Sequence, residues 1–220
     1  MIQANKSRLF HSMFSLYHQR LLRRSFDQIY LYSKGNRPTT PAIYIANHSS
    51  WWDGLLYFHL CRNVLPEDTY IMMHESGLRQ YPYFKKLGAF SINRSNPKDI
   101  LRSLRYAEQL VQDGKSVWMF PQGEECHLEK RPLGFQPGIS YMLEHLPHIQ
   151  VVPISFYYSF GHKKKPEVYI EIGLPLYHHD LSGHSRNEKT AGLEQVFTEQ
   201  LDELKELVVT RQLNTFSNLL

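Results

Sequence analysis

Short apolar runs alternate with longer amphipathic stretches along the chain. The short runs, rich in Val, Ile, Tyr and Phe, predict buried strands over residues 42–46, 69–73, 89–92, 116–120, 150–158 and 167–173. Apolar residues at helical spacing predict helices over residues 51–61, 97–113, 138–146 and 188–210. Strands that alternate with helices are typical of an α/β fold. We therefore expect a single domain with a mixed, largely parallel sheet flanked by helices.

The N-terminal segment has a pattern of its own. Apolar side chains recur at helical spacing over residues 5–32, and arginines flank them, which predicts an amphipathic helix. The loop composition of residues 33–41 then separates a basic helical segment, residues 1–36, from an α/β domain, residues 37–220. The helix either docks on the domain or lies in a membrane interface with its arginines on anionic head groups. The two alternatives are compatible.

The charge distribution narrows the classes of partner. The 220 residues carry a net charge of only +4, but residues 1–37 hold seven Lys and Arg against the single acid Asp27. A basic end on a balanced chain indicates an anionic surface, either membrane or nucleic acid. Basic and aromatic residues do not interleave along a recognisable nucleic-acid-binding motif, so no nucleic acid partner is expected.

The cysteines and the apolar segments indicate a compartment. Cys61 and Cys126 are isolated in sequence, which is typical of a reducing environment. No cleavable signal is apparent, and no apolar run approaches the roughly 20 residues that a spanning helix needs. We expect a cytoplasmic protein that does not cross a membrane.

Polar side chains follow three of the predicted strands, at the edge where the active residues of α/β sheets gather. After the first of these strands, Asn47 precedes His48, and Asp53 lies five residues further on in the first turn of a helix. Ser49 or Ser50 is expected to cap that helix. An aspartate bonded to one imidazole nitrogen leaves the other nitrogen as a base. The alternatives are a histidine and a carboxylate that serve only the helix end, or a metal site, for which no second His or Cys stands nearby.

The other two polar segments add charge and a tight turn. Asn93 and Arg94 end a strand, where an arginine clamps a phosphate or a carboxylate. The segment of residues 117–138 places Gly123 in a turn that brings backbone N–H groups towards a site. The polar side chains around this turn are candidates for substrate binding: Gln122, Glu124, Glu125, Lys130 and Arg131.

Taken in order, these segments resemble the motifs of the glycerolipid acyltransferase family, the lysophosphatidate-type enzymes. Residues 47–53, NHSSWWD, are similar to its His-x4-Asp motif, and residues 88–94, GAFSINR, to its second motif. Residues 120–125, FPQGEE, resemble the family's Phe-Pro-Glu-Gly-Thr-Arg, and residues 151–154, VVPI, its fourth motif. The resemblance covers about residues 40–175 and includes Phe135 and Gly138.

The resemblance implies an O-acyltransferase that moves a fatty acyl group from acyl-CoA or acyl carrier protein to the hydroxyl of a 1-acyl-glycerol-3-phosphate or related lipid. His48 would be the general base and Asp53 its orienting partner, without an acyl-enzyme, a metal or a cofactor. The implied substrate-binding residues are Arg94, Asn93, Gln122, Gly123, Glu124 and Arg131. Trp51, Trp52, Leu55 and Leu56 would line an acyl tunnel, although core packing explains them equally well. The implied location is peripheral, on the inner face of the cell membrane.

One departure from the family pattern leaves the acceptor open. Glu124 and Glu125 stand where the family has Thr-Arg, and adjacent carboxylates repel a phosphomonoester but accept hydrogen bonds from hydroxyls. The alternative acceptor is therefore a non-phosphate lipid, such as a glycosylated lipid or carotenoid. A non-catalytic membrane-binding module is the other alternative. A serine hydrolase is disfavoured because no Gly-x-Ser-x-Gly occurs.

Overall fold

All strands that the structure describes belong to one sheet. The computed structural model describes residues 1–35, 41–65 and 68–220. The strands are β1 Ile29–Ser33, β2 Ala42–Ala46, β3 Thr69–His74, β4 Ala89–Ile92, β5 Ser116–Met119, β6 Gln150–Phe160, β7 Pro166–Ile172 and β8 Ser217–Asn218, in the order β4-β3-β5-β2-β6-β7-β1-β8. Neighbours from β4 to β6 run parallel, β7 is antiparallel to β6, and β1 is parallel to β7. The predicted α/β fold with a mixed, largely parallel sheet is confirmed.

Helices cover both faces of the sheet, and this explains the continuous apolar runs of its central strands. The helices are α1 Arg8–Ser25, α2 Asp53–Asn63, α3 Glu75–Gln80, α4 Pro97–Gln112, α5 Gly138–His145 and α6 Arg186–Val209, with 3₁₀ turns at Pro82–Leu87 and His178–Asp180. All five residues of β2 are buried. Its Tyr44 joins the core beneath α1 and α2, whereas Ile43 and Ile45 join the core beneath α4, α5 and α6. A strand covered on both faces has no polar side to show.

The N-terminal helix is shorter than its pattern predicts. It ends at Ser25 rather than near residue 32, and Ile29–Ser33 forms β1, so the helix prediction is wrong for this part. Ile29 is fully buried and pairs with Val168 of β7. Arg23 and Arg24 in the last turn favour a helix end there, and β-branched and aromatic residues follow. Residues 29–33 form a strand because they pair with β7, and this long-range contact is not visible in the local sequence pattern.

The structure tests most of the predicted element bounds but not the predicted domain boundary. The boundary predicted between residues 36 and 37, and residues 36–40 of the predicted loop, lie outside the described residues. The predicted bounds of the remaining strands and helices agree with the structure to within about two residues. The sequence analysis did not predict α3 or the following 3₁₀ turn. Within the described ranges, no helix is long and apolar enough to span a bilayer.

Candidate active site

His48 and Asp53 meet where β2 leads into α2. His48 Nδ1 lies 2.9 Å from Asp53 Oδ2. Because a carboxylate only accepts, the Nδ1–H group of His48 donates this hydrogen bond to Asp53. The opposite nitrogen, Nε2, has no hydrogen-bond partner among the described residues, and the side chain is 26% exposed. Asp53, which is fully buried, therefore fixes the tautomer of the neutral ring, in which Nε2 is the nitrogen able to accept a proton.

Asp53 also closes the turn that precedes α2. Its Oδ2 accepts the backbone N–H groups of Ser49 at 2.7 Å and Ser50 at 2.9 Å. The predicted serine cap is therefore wrong: Trp52 is the N-cap residue, and no side chain caps α2. Ser50 Oγ accepts a 3.2 Å bond from the N–H of Trp52, one residue before the helix begins, and the Asp53 carboxylate organises the turn. The N-terminal end of a helix dipole and the backbone N–H donors both stabilise a negative charge that is buried at this position.

Tyr158 is a member of this cluster that the sequence analysis missed. Its hydroxyl donates a 2.5 Å bond to Asp53 Oδ1 from β6, which is 105 residues away in the chain. Burial, followed by the negative charge of Asp53, raises the pKa of Tyr158 well above its usual value, so the phenol remains a neutral donor. No sequence signal marked Tyr158, because it is one of 14 tyrosines and its partner strand is set by the sheet order.

Neighbouring elements hold the loop of His48 in place. The Asn47 side chain donates to the carbonyl of Phe156 at 2.9 Å and accepts its N–H at 2.8 Å, which ties the end of β2 to β6. Gln122 Oε1 accepts the His48 N–H at 2.6 Å. The ring of Phe120 stacks on the imidazole, with the ring centroids 4.3 Å apart. These contacts leave the imidazole few other orientations.

A cavity of about 730 Å³ opens beside the pair. Its wall is largely apolar and includes His48, Leu55, Phe58, Ile71, Phe84 and Ile92. Trp51 also lines it and is 50% exposed. Of the side chains expected at an acyl tunnel, Trp51 and Leu55 face the cavity. Trp52 and Leu56 instead pack in the core beneath α1, with Trp52 edge-on to Phe26 at 4.9 Å.

The loops after β4 and β5 supply an arginine and two glutamates to the lining of the cavity. Arg94, Gly123, Glu124 and Glu125 all border it. Arg94 Nη1 donates to the carbonyl of Gly123 at 3.0 Å and lies 3.9 Å from Glu124. Gly123 has φ +76, and a Cβ there would lie 3.0 Å from the Arg94 guanidinium. The loop and the arginine therefore pack against one another, and part of the positive charge of Arg94 is already compensated.

Three of the predicted substrate-binding residues do not line the cavity and bond other groups of the protein instead. Gln122 is buried and holds the His48 backbone, and Asn93 accepts the N–H of Ser95 at 3.1 Å within its own turn; neither lines the cavity. Arg131 pairs with Asp202 of α6 and is also absent from the cavity wall. The reason is tertiary: α6 brings a carboxylate to Arg131, which no local pattern reveals. Across the described part of the chain, no group of three or more His, Cys, Asp and Glu side chains is arranged to hold a metal.

Fold and site together define an α/β protein with a histidine–carboxylate pair at the carboxyl edge of its sheet, beside a large apolar cavity. Residues 28–157, more than half of the chain, match the family model described as Acyltransferase. The chain belongs to this acyltransferase family, as its four motifs indicated.

Relatives of the chain carry names consistent with this family. A 1-acyl-sn-glycerol-3-phosphate acyltransferase of Bacillus subtilis is 25% identical over 182 residues, 80% of this chain and 87% of that protein. One from Chlamydomonas reinhardtii is 28% identical over 120 residues, 54% of this chain, and the match spans only 34% of the algal protein. The crystal structure of the 1-acyl-sn-glycerophosphate acyltransferase PlsC from Thermotoga maritima superposes with a TM-score of 0.64, over 89% of this chain and 79% of that one. At 20% identity, this likeness shows the fold alone.

Proposed function

We propose that the protein transfers a fatty acyl group from a thioester to the hydroxyl of a lipid acceptor, with His48 as the general base. The observation that carries the proposal is the His48–Asp53 pair beside the apolar cavity, with Nε2 unengaged by any described residue. The family membership supports the acyl transfer. The proposed step uses only side chains of this chain and the thioester donor.

The chemistry follows from the protonation state of the ring. Nε2 takes the proton of the acceptor hydroxyl while that oxygen attacks the thioester carbonyl carbon. The tetrahedral intermediate then expels the thiolate, which receives the proton from the imidazolium. Asp53 stabilises the imidazolium, whose charge exists only along the reaction path. The products are an ester and a free thiol, carried by coenzyme A or by an acyl carrier protein.

The first candidate acceptor is 1-acyl-glycerol-3-phosphate, which the names of the relatives support. In this case Arg94 is the cation at the cavity that would bind the phosphate, and the Gly123 turn would border the head group. Arginine binds phosphate bidentately. The apolar wall of the cavity would take acyl chains.

A second candidate acceptor, a lipid with an uncharged, hydroxyl-rich head group such as a glycosylated lipid or carotenoid, is favoured by one observation. Arg94 already donates to the carbonyl of Gly123 and lies 3.9 Å from Glu124, and Glu125 borders the same cavity. The two carboxylates outnumber the one arginine there. Carboxylates accept hydrogen bonds from sugar hydroxyls and repel phosphate.

A paired acceptor panel tests both candidates. Purified protein is given radiolabelled acyl-CoA or acyl carrier protein with either lysophosphatidic acid or a neutral glycolipid, beside His48→Ala and the surface control His179→Ala. Product that His48→Ala lowers by about 10²–10⁴-fold, with His179→Ala unchanged, supports the general base. Equal rates of transfer for wild type and His48→Ala would refute His48 as the general base. No transfer with any donor and acceptor would refute the enzyme and favour a membrane-binding module.

The acceptor is decided by exchanging the two carboxylates. Glu124→Thr with Glu125→Arg restores the family's Thr-Arg after Gly123, and Glu199→Thr with Glu206→Arg makes the same charge change on the exposed face of α6. If a neutral head group is the natural acceptor, the first pair should raise transfer to lysophosphatidic acid at least tenfold and lower transfer to the glycolipid, while the control pair changes neither. Wild type that already prefers lysophosphatidic acid would reject the second candidate.

We also propose that α1 lies on the membrane surface. Leu9, Met13, Leu16 and Tyr17 recur along one side of the helix and are 62–74% exposed, although they are large and apolar. Arg20 and Arg24 are exposed on the same helix. An apolar stripe flanked by arginines fits the boundary between head groups and acyl chains. Trp51, exposed beside the cavity, would let a lipid acceptor enter from this surface.

Vesicle co-sedimentation tests this orientation. Leu9→Glu with Leu16→Glu should reduce binding to anionic vesicles at least tenfold, because two apolar contacts of about 1.5 kcal/mol or more each are lost. Val209→Glu is the control, since Val209 is 63% exposed on α6. Both variants should unfold at the urea concentration of the wild type. Unchanged binding of the double variant would exclude α1 as the membrane contact.

A further inference from the structure

Tyr158 occupies the far side of the buried carboxylate from His48. It lies near the end of β6, and its hydroxyl reaches Asp53 Oδ1, whereas Oδ2 is taken by His48 and by the N–H groups of Ser49 and Ser50. The preceding residue, Tyr157, points to the opposite face of the strand and bonds Glu129 at 3.2 Å. Of the donors to Asp53, Tyr158 alone comes from another part of the sequence.

We propose that Tyr158 is a positioning residue that sets the proton affinity of His48 by donating a hydrogen bond to the second oxygen of Asp53. This inference rests on the proposed function, in which His48 is the base. A donor on Oδ1 draws negative charge away from Oδ2, the oxygen that faces the imidazole. The imidazolium is then stabilised less, and the neutral ring, which is the form that accepts a proton, persists to lower pH.

The surroundings of the cluster make this bond effective. Asp53 is fully buried, so water does not replace a lost donor easily. Phe26 and Phe120 provide apolar packing at Tyr158 and His48, with ring centroids 6.3 Å and 4.3 Å apart. Tyr158 is itself a neutral donor, because burial and then the charge of Asp53 raise its pKa. The bond therefore persists over the whole range in which a histidine base titrates.

Other charged groups also face the cluster. The carboxylate of Glu125, on the loop after β5, acts on Tyr158, and Arg94 and Glu124 border the same cavity as His48. Arg94 is compensated by Glu124 at 3.9 Å, so these two partly cancel. The charge of Glu125 helps to raise the pKa of Tyr158, so it also keeps the phenol a neutral donor to Asp53.

The test compares Tyr158→Phe with the adjacent Tyr157→Phe. Each loses one hydroxyl from the same strand, but only the first loses the bond to Asp53. The acidic limb of the kcat/KM profile of Tyr158→Phe should move to higher pH by about half to one unit. Below the limb this is a roughly 3- to 10-fold loss of rate, with a small change on the plateau. Tyr157→Phe should follow the wild-type curve.

A second variant moves the limb in the opposite direction. Fluorotyrosine incorporated at position 158 keeps the side chain in place and makes the phenol a stronger donor, so the limb should move to lower pH. This variant also decides the question if Tyr158→Phe folds poorly. A limb that moves in neither variant, or that moves equally in Tyr157→Phe, would overturn the proposal.

An NMR titration of the His48 ring separates this proposal from the proposed function. The ring signal is assigned by its loss in His48→Ala, and its midpoint is compared in wild type, Tyr158→Phe and the fluorotyrosine protein without substrate. A midpoint that is higher in Tyr158→Phe and lower in the fluorotyrosine protein than in wild type supports the role of Tyr158, even if no acyl transfer is found. Unshifted midpoints in an active enzyme would refute Tyr158 and leave His48 as the base.

Discussion

Replacing Asp53 by asparagine should abolish most of the activity but leave the fold largely unchanged. The amide has nearly the volume of the carboxylate, so the buried site is neither emptied nor overfilled. With its oxygen in the place of Oδ2, the amide still accepts from Ser49, Ser50 and His48. Its NH₂ then faces the hydroxyl of Tyr158, whose oxygen accepts a bond. In the opposite orientation the NH₂ group would face three other donors and could accept no bond from them, so only the first orientation of the amide is stable.

The expected loss of rate is that of one buried charge interaction. In the proposed transition state His48 would be an imidazolium, and its Nδ1 lies 2.9 Å from Asp53 Oδ2 in the structure. Two unit charges about 4 Å apart interact by about 4 kcal/mol at an effective dielectric of 20. Because the proposed step forms the imidazolium only along the reaction path, this loss should appear in kcat and corresponds to about three powers of ten. The two backbone bonds become neutral ones, which should lower the free energy of unfolding by about 1–2 kcal/mol.

The assay measures kcat/KM for acyl transfer beside urea unfolding. Asp180→Asn is the matched control, because Asp180 accepts the N–H of Tyr177 at 2.8 Å in the capping box of a surface 3₁₀ turn away from the cavity. It should lose stability without losing activity. Asp53→Asn that folds and turns over at the wild-type rate would show that the carboxylate serves only the helix end, and that His48 does not depend on it.

Three further perturbations probe the supports of the site. Burial, followed by the charge of His59, lowers the pKa of His18 to about 4, so the neutral ring is favoured in the folded state, and stability present above pH 6.5 is lost as the pH falls towards 4. The part of the unfolding free energy that His18 contributes should fall by roughly 2 kcal/mol between pH 7 and pH 5. His18→Gln should therefore lose less stability than wild type over this range, and the remaining loss includes that of His59, whose pKa is also lowered by burial. Asn47→Ala leaves the buried N–H and carbonyl of Phe156 without their partner and should lower the unfolding free energy by about 3 kcal/mol; a loss below 1 kcal/mol would mean that water replaces it. Gly123→Ala is strained at φ +76 and crowds Arg94, so we expect about 1–2 kcal/mol of destabilisation and a raised acceptor KM, and an unaltered KM would place the head group elsewhere.

The sequence predicted the His48–Asp53 pair but not the contacts that surround it. His48 and Asp53 are five residues apart on either side of a helix start, so local geometry alone brings them together. Tyr158 and Gln122 reach the same cluster from 105 and 74 residues away. Their partners depend on β2 lying between β5 and β6, which hydrophobic spacing does not specify.

The residues proposed for substrate binding show the same division. Arg94 and Gly123 do meet at the cavity, because β4 and β5 are parallel to β2 and end at the same edge of the sheet. Arg131 has equally suitable chemistry but is drawn to Asp202 on α6. A charged side chain takes the partner that the packing provides, and the sequence does not show which carboxylate that is.

The sequence by itself determined most of the helices and strands, the α/β class and the short-range pair, since periodicity and close spacing act over a few residues. The tertiary structure decided that residues 29–33 form a strand, that Arg94 rather than Arg131 lines the cavity, and that Tyr158 bonds the second oxygen of Asp53. These outcomes depend on which edges and faces are left to be covered when the sheet assembles. Such competition between distant segments is a property of the folded chain, because the free energy of each contact depends on all the elements packed around it.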